Sequence, residues 1–167
     1  MDLISKPQWP RNQTVGIQPI GEKNGSKRSL LVDEAGIPLS LVVCGANEHD
    51  VTQVEVLLDA KLIKQTSISP VEENLCADAG YVGEVAHKSM TDHGYTPHVR
   101  SRGEEAHEKS KDPKFKPRRW VVEVAHSWFT RFRKLLVRFE KTHRSYIALH
   151  HLAAAIITLR KCGFIYG

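Results

Sequence analysis

A chain of 167 residues with 26% charged residues and a net charge of +5 is long enough for one domain with a substantial core. Its longest apolar run, 152–159, is too short to cross a bilayer, and the start MDLISKPQWPRNQ lacks the apolar stretch of a signal peptide. The three cysteines, Cys44, Cys76 and Cys162, are widely spaced and odd in number. This cysteine usage fits a reducing cytoplasm and argues against a disulfide framework.

Positive charge is concentrated in two segments, 109–119 and 131–144, which flank a predicted helix. Lys and Arg side chains release counterions from phosphates, so this clustering favours a nucleic-acid partner. Ordinary solubility explains a net charge of this size as well, so both interpretations stay open at this point.

The first 25 residues are rich in Pro, Gly, Gln and Asn and carry little pattern. They predict an irregular start for residues 1–25, with at most the end of a strand at 2–5 before Pro7 and Pro10.

Two apolar segments, 27–33 and 37–44, predict strands joined by a hairpin loop that contains Gly36. Asp50 then predicts the N-cap of a helix, with Gln53 completing a capping box. The apolar stripe of this helix consists of Val51, Val54, Leu57, Leu58 and Leu62.

The middle of the chain alternates between short strands and helices. Residues 74–77 predict a strand that leads directly into Asp78, and 83–93 predict a helix closed by Gly94. Residues 95–99 predict another strand.

The segment 101–117 is charged and nearly free of apolar residues, which predicts a mobile loop. The next segment, 117–133, has the spacing of a helix with Glu123 beside its buried stripe and Arg119 one turn earlier. We expect Trp120 to lie in the core together with the stripe. The stripe consists of Val121, Val124, Ala125, Trp128 and Phe132.

A helix break is expected near 142–145, where Thr142 and Ser145 are both capping residues. The last helix then points its apolar side inward, through Ile147, Leu149, Leu152, Ala153 and Ile156. Strands come first and then alternate with helices, so the pattern predicts a single α/β domain with a sheet of mixed direction.

Two acidic residues have positions suited to chemistry. Asp78 stands where a strand ends and a Gly turn begins, the usual place for functional groups in α/β sheets. A turn Asp bonded to its own backbone is an equal alternative, and Glu123 could be a solvated partner of Arg119. Asp33 and Asp50 have local explanations, as a hairpin Asp and a helix cap.

Three carboxylates from different elements can hold two divalent cations about 3.5–4 Å apart. Mg²⁺ prefers one or two carboxylates together with phosphate oxygens and waters. The nine histidines show no zinc-binding spacing.

Several strings carry a resemblance to a known family: NGSKRSLLVDEAGIPLSLVVCGANEHDV, NLCADAGYVGE, HGYTPHVRSRGEE, RRWVVEVAHSWFTRFRKLLVRFEK and YIALHHLAAAII. They occur in order over residues 21–161, and the chain resembles the bacterial insertion-sequence-five type of transposase. The resemblance implies a ribonuclease-H-like mixed sheet flanked by helices, with an Asp-Asp-Glu site for two Mg²⁺ or Mn²⁺ ions. In that site Asp78 matches the second Asp and Glu123 the Glu, and Asp2 is the candidate for the first Asp. Thr130 departs from the motif, which has a basic residue there.

The same resemblance implies metal-dependent cleavage and strand transfer at the ends of an insertion sequence. Transposon ends and target DNA are then the partners, a homodimer on DNA is expected, and the protein is expected in the cytoplasm with the nucleoid. Phosphate contacts near the scissile bond and along the helix are expected from Lys116, Arg118, Arg119, Arg131, Arg133 and Lys134.

Such transposases carry an N-terminal DNA-binding region, and the resemblance implies that this region is missing here. We therefore expect an N-terminally incomplete catalytic domain, either the second reading frame of an element joined by frameshifting or a truncated copy. The alternative function is a non-catalytic remnant that binds DNA or a full-length transposase. Random DNA upstream of the reading frame would favour that remnant, and an overlapping frame would favour the enzyme.

Overall fold

The computed structural model of the protein describes residues 11–20, 25–61, 73–99 and 120–165, with the backbone alone for 11–20. Five strands are present in these ranges: β1 (Arg11–Ile20), β2 (Ser26–Val32), β3 (Pro38–Gly45), β4 (Glu73–Ala77) and β5 (Tyr95–Val99). The helices of the same ranges are α1 (Asp50–Asp59), α2 (Glu84–Asp92), α3 (Trp120–Thr130), α4 (Arg133–Leu136) and α5 (His143–Lys161). A short 3-10 turn, Ala79–Tyr81, follows β4.

The five strands form one mixed sheet in the order β3-β2-β1-β4-β5. The first three strands pair antiparallel, while β4 runs parallel to β1 and β5 runs parallel to β4. Because β4 and β5 follow parallel neighbours, each is reached through a helical crossover, α1 and α2 respectively. This is the ribonuclease-H-like mixed sheet flanked by helices, so the predicted fold class is confirmed.

Each face of the sheet carries its own core, because side chains alternate between faces along a strand. Leu30 and Leu31 are adjacent in β2 and completely buried on opposite faces. One face packs against α3, α4 and α5 through Leu30, Val32, Leu41, Val43, Val121, Val122, Ala125, Phe129, Leu135, Tyr146, Ala153 and Ile157. The other packs against α1 and α2 through Leu31, Val54, Leu57, Leu58, Leu75, Ala77, Tyr81, Ala86, Met90 and Tyr95.

The prediction of an irregular start is wrong for residues 11–20, which form β1 at the centre of the sheet. Gly16 and Pro19 disfavour strands, and for that reason no strand is predicted there from the sequence. Pairing with β2 on one side and β4 on the other overrides these local preferences, because strand formation depends more on neighbours than on intrinsic propensity.

The strands predicted at 27–33, 37–44, 74–77 and 95–99 are confirmed to within one or two residues, and the hairpin turn lies at Gly36, with φ +81°. A Cβ atom on Gly36 would lie 3.0 Å from the Trp128 ring, so this turn needs glycine for both conformation and space. The predicted mobile loop 101–117 and the stripe residue Leu62 lie outside the described residues.

The start of α1 differs from the prediction. His49 occupies the N-cap position without a side-chain cap, and Asp50 is the first helical residue, 2.6 Å from the Lys27 ammonium group. Gln53 donates to the Glu48 carboxylate at 2.7 Å, so it forms no capping box. Asp50 therefore forms a salt bridge with the buried Lys27 and does not cap the helix.

The start of α5 agrees with the prediction. The Thr142 hydroxyl accepts a hydrogen bond from the backbone N–H of Ser145 at 3.2 Å, which satisfies one of the free donors of the first turn. Among the described residues, no helix has both the length and the apolar character needed to cross a bilayer.

Both long helices are rotated about their axes relative to the predicted faces. In α3 the buried residues are Val121, Val122, Ala125, His126 and Phe129. In α5 they are Tyr146, His150, Ala153 and Ile157. Trp120, expected in the core, is 54% exposed, and the predicted stripe residues Val124 and Leu152 are also exposed.

His150 in α5 makes stability depend on pH. The side chain is completely buried, with Nδ1 donating to the Tyr146 carbonyl at 2.9 Å. Burial, with a smaller contribution from the charge of Arg28, lowers the pKa of His150 to about 4 from its ordinary 6.5. Between these values the unfolded chain binds a proton that the folded protein does not, so stability falls as the pH falls through this window.

From pH 7 to pH 5 we expect His150 to remove about 2 kcal/mol of the free energy of unfolding. The measurement is urea unfolding of the wild type and of His150→Leu at both pH values, since the difference between the two proteins isolates this group. Equal pH dependence in both proteins would contradict the assignment.

Candidate active site

Asp78 lies at the carboxyl end of β4, exposed to solvent. Its carbonyl accepts a hydrogen bond from the Tyr81 N–H at 2.9 Å, which starts the turn that follows the strand. Leu75 and Ala77 pack on the α1 and α2 face, and Asp78 is the first residue after the strand. Since β1 and β4 are parallel, with Val15 paired to Ala77, Asp78 follows the last pair of this ladder.

Glu123 lies in the first turn of α3, exposed to solvent. The flank of α3 opposite to Glu123 carries Trp128, which packs against Gly36 in the β2–β3 hairpin and lies beneath the Lys161 ammonium group of α5. Because α5 packs against β3, and α3 against β1 and β2, the Glu123 flank is turned away from β3 and toward β1 and β4.

Both acids are therefore exposed, Asp78 directly after β4 and Glu123 in the first turn of α3. Asp2 lies outside the described residues, and β1, the strand beside β4, contains no acidic residue. Within the described ranges, no group of three or more His, Cys, Asp or Glu side chains is arranged to hold a metal ion.

The two carboxylates that are described suit a hard divalent cation by their chemistry. Mg²⁺ binds oxygen ligands, keeps several waters and is commonly held by only one or two carboxylates plus phosphate oxygens of a substrate. Because both carboxylates are exposed, each leaves room for such a substrate.

The other acids near the ends of the strands have structural partners. The Asp33 carboxylate accepts hydrogen bonds from the N–H groups of Ala35 and Ile37, at 2.9 and 2.8 Å, which confirms its predicted role in the hairpin. Lys27 is held by Asp50 and also donates to the Glu48 carbonyl.

Among the predicted phosphate contacts, the described ones are Arg131, Arg133 and Lys134. All three are exposed where α3 ends and α4 begins. The others, at positions 116, 118 and 119, lie outside the described residues.

The sequence interpretation missed Arg28, which is only 2% exposed and lies on the face that packs against α3. Burial lowers its pKa to about 10, so the guanidinium still carries its charge at neutral pH. The available signal was alternation: Arg28 shares the register of Leu30 and Val32, both core residues.

Comparison with known proteins gives a consistent result. The model of the family described as "Transposase DDE domain" matches residues 75–160, a range that contains both Asp78 and Glu123. A protein of Burkholderia cepacia assigned as a transposase for insertion sequence element IS402 is 34% identical over 166 residues, covering 95% of this chain and 76% of that protein.

Two solved structures are also similar. One is a chain of the simian T-cell lymphotropic virus intasome in complex with PP2A regulatory subunit B56 gamma, at 17% identity and a TM-score of 0.41. The match covers 73% of this chain and 50% of that chain. The other is the catalytic core domain of BIV integrase, at 13% identity and a TM-score of 0.36, covering 84% of this chain and 96% of that one.

Proposed function

Because this chain belongs to the family of DDE transposases of bacterial insertion sequences, we propose that Asp78 and Glu123 carry metal-dependent cleavage and transfer of DNA strands at the ends of such an element. The observation that supports this assignment is that both acids are exposed, one after β4 and one in the first turn of α3, and that both lie within the matched range. The insertion-sequence-five type is the subgroup we propose.

The carboxylates are the proposed ligands of two Mg²⁺ or Mn²⁺ ions, with Asp2 as the third ligand. When bound, such ions lower the pKa of an attacking water and stabilise the charge on the leaving oxygen. Asp78 is fixed by the end of β4, and Glu123 by the packing of α3. Glu123 has a second possible role, in which it orients or deprotonates the nucleophile.

The proposed reaction has two steps of the same type. First, the oxygen of a water attacks a phosphodiester at the element's end, and the bond to the 3′ oxygen breaks to leave a 3′-hydroxyl. Next, that hydroxyl attacks a phosphodiester of the target DNA, and the target's own 3′ oxygen leaves with a proton. Both steps need DNA held against the acids, and the exposed cations Arg131, Arg133 and Lys134 suit this purpose.

The proposed partners follow from the reaction. Two element ends must be joined to one target, so we propose that two copies of the chain act together on DNA. A DNA-binding region encoded by an upstream frame is the proposed source of recognition of the ends.

The test is a strand-transfer assay with the purified protein, Mg²⁺ or Mn²⁺, and oligonucleotides that carry the terminal sequences of the element. We expect a nicked end and a product longer than the input strand, both absent when EDTA is added. Binding of the ends without either product, for this chain and for a fusion to the upstream frame, would contradict the enzyme and support a DNA-binding remnant.

A further inference from the structure

Arg28 connects the centre of the sheet to the helix that carries Glu123. Its Nε donates to His126 Nδ1 at 3.2 Å, and Nη2 donates to the His126 carbonyl at 3.3 Å. The guanidinium carbon lies 4.4 Å from the centre of the Phe129 ring. A fully buried guanidinium is therefore fixed at three points to α3, and each of them is on the inner side of the helix.

These contacts involve the flank of α3 next to Glu123. At about 100° per residue, His126 lies roughly one turn along from Glu123 and about 60° closer to the sheet. On this flank of α3, His126 is buried in the core and Glu123 is exposed to solvent. The contact between Arg28 and His126 therefore lies where the helix passes from the core to the solvent.

Apolar pattern alone favours a different rotation of the same helix. The stripe Val121, Val124, Ala125, Trp128 and Phe132 would turn α3 by roughly 70° relative to the observed face. In that rotation Trp128 would lie on the sheet and Glu123 would point almost directly away from it. In the observed rotation His126 is buried in place of Val124, which is 37% exposed.

Burial of a histidine instead of a valine needs a compensating contact, because a buried polar group without a hydrogen-bond partner destabilises the folded state. Arg28 supplies that contact through its two donors. An apolar residue at position 28 could not donate to His126, so a buried His126 would lose these hydrogen bonds.

We propose that Arg28 is a positioning residue that sets the rotation of α3 through His126, and thereby the direction in which Glu123 points. The proposal deepens the proposed function, on which its catalytic consequence rests. Arg28 and His126 touch no substrate in this scheme and act only through the helix.

The test uses Arg28→Met, His126→Leu and the double variant, each in a Trp9→Phe, Trp120→Phe background that leaves Trp128 as the single tryptophan. Each single variant is expected to lower the rate of end cleavage about 10- to 100-fold, because a small displacement of a catalytic group is costly. The double variant is expected to be no slower than the single ones, because the two residues act through one contact. Binding of the ends is expected to stay within about threefold of the parent.

The rotation itself is read from Trp128. In Arg28→Met its fluorescence emission is expected to shift to shorter wavelength, because the alternative rotation buries this ring further. Arg28→Lys keeps the charge but lacks the two-point donation, so it is not expected to restore either cleavage or emission.

Lys61→Met is the matched control. Lys61 is also a cation near a ring, partly buried and with its ammonium group 5.1 Å from the centre of the Tyr95 ring, but it belongs to the opposite face of the sheet. This variant is expected to leave cleavage and Trp128 emission unchanged.

Unchanged emission in Arg28→Met, or additive losses in the double variant, would overturn the proposal. Should neither the parent protein nor its fusion to the upstream frame cleave DNA, the proposed function fails. The emission of Trp128 then decides by itself whether Arg28 sets the rotation of α3.

Discussion

Glu123→Gln and Asp78→Asn are each expected to reduce strand cleavage and strand transfer by at least about a thousandfold, because ligands that act as a unit lose most of their effect when one is removed. Each substitution keeps the size of the side chain and removes one negative charge. Both residues are exposed, so folding is expected to be unaffected. Cleavage of labelled element ends in Mg²⁺ and in Mn²⁺ measures the effect.

Glu55→Gln and Asp92→Asn are the matched controls, since they neutralise exposed carboxylates of α1 and α2. They are expected to cleave at the parent rate. Gel-shift binding of the same ends should remain within a fewfold in all four variants. Full cleavage by Asp78→Asn would remove Asp78 from the site, and the same result for Glu123→Gln would remove Glu123.

Phe129→Ala is expected to lower the free energy of unfolding by about 3–5 kcal/mol, the usual cost of removing a large aromatic side chain from a core. Phe129 is completely buried, lies beneath the Arg28 guanidinium and stacks on His150 with ring centres 6.4 Å apart. Its removal therefore opens a cavity where the sheet, α3 and α5 meet. Urea unfolding at pH 7 measures the loss.

Val124→Ala is the control on the same helix, because Val124 is partly exposed and belongs to the predicted but unused stripe. A loss below about 1 kcal/mol is expected there. Should Val124→Ala be the more damaging of the two, the rotation of α3 described above would be wrong.

The local apolar pattern of the sequence was sufficient to predict the strands β2 to β5 and the presence of the long helices. Each of these segments combines an apolar period with a clear stop signal, such as Gly36 at the hairpin and Gly94 after α2. The cap at Thr142 was equally local, since it joins residues only three apart. The two candidate site acids, Asp78 and Glu123, were also predicted from local pattern, as the residue after a strand and a residue beside a helical stripe.

The central strand β1 could not be read from the sequence. Its residues have weak strand preference, and it exists because β2 and β4 offer partners on both sides. Asp50 shows the same limit: a cap was predicted from neighbours in sequence, whereas Lys27, 23 residues away, is the actual partner.

By itself the sequence determined the order of the strands from β2 onward, the fold class and which acids stand at the end of β4 and on α3. The tertiary structure alone decided that 11–20 is a strand and which way α3 faces. The physical reason is that a helix with two competing apolar stripes is oriented by the surface it packs on. Here that surface contains a buried arginine, Arg28, 98 positions from the histidine it binds.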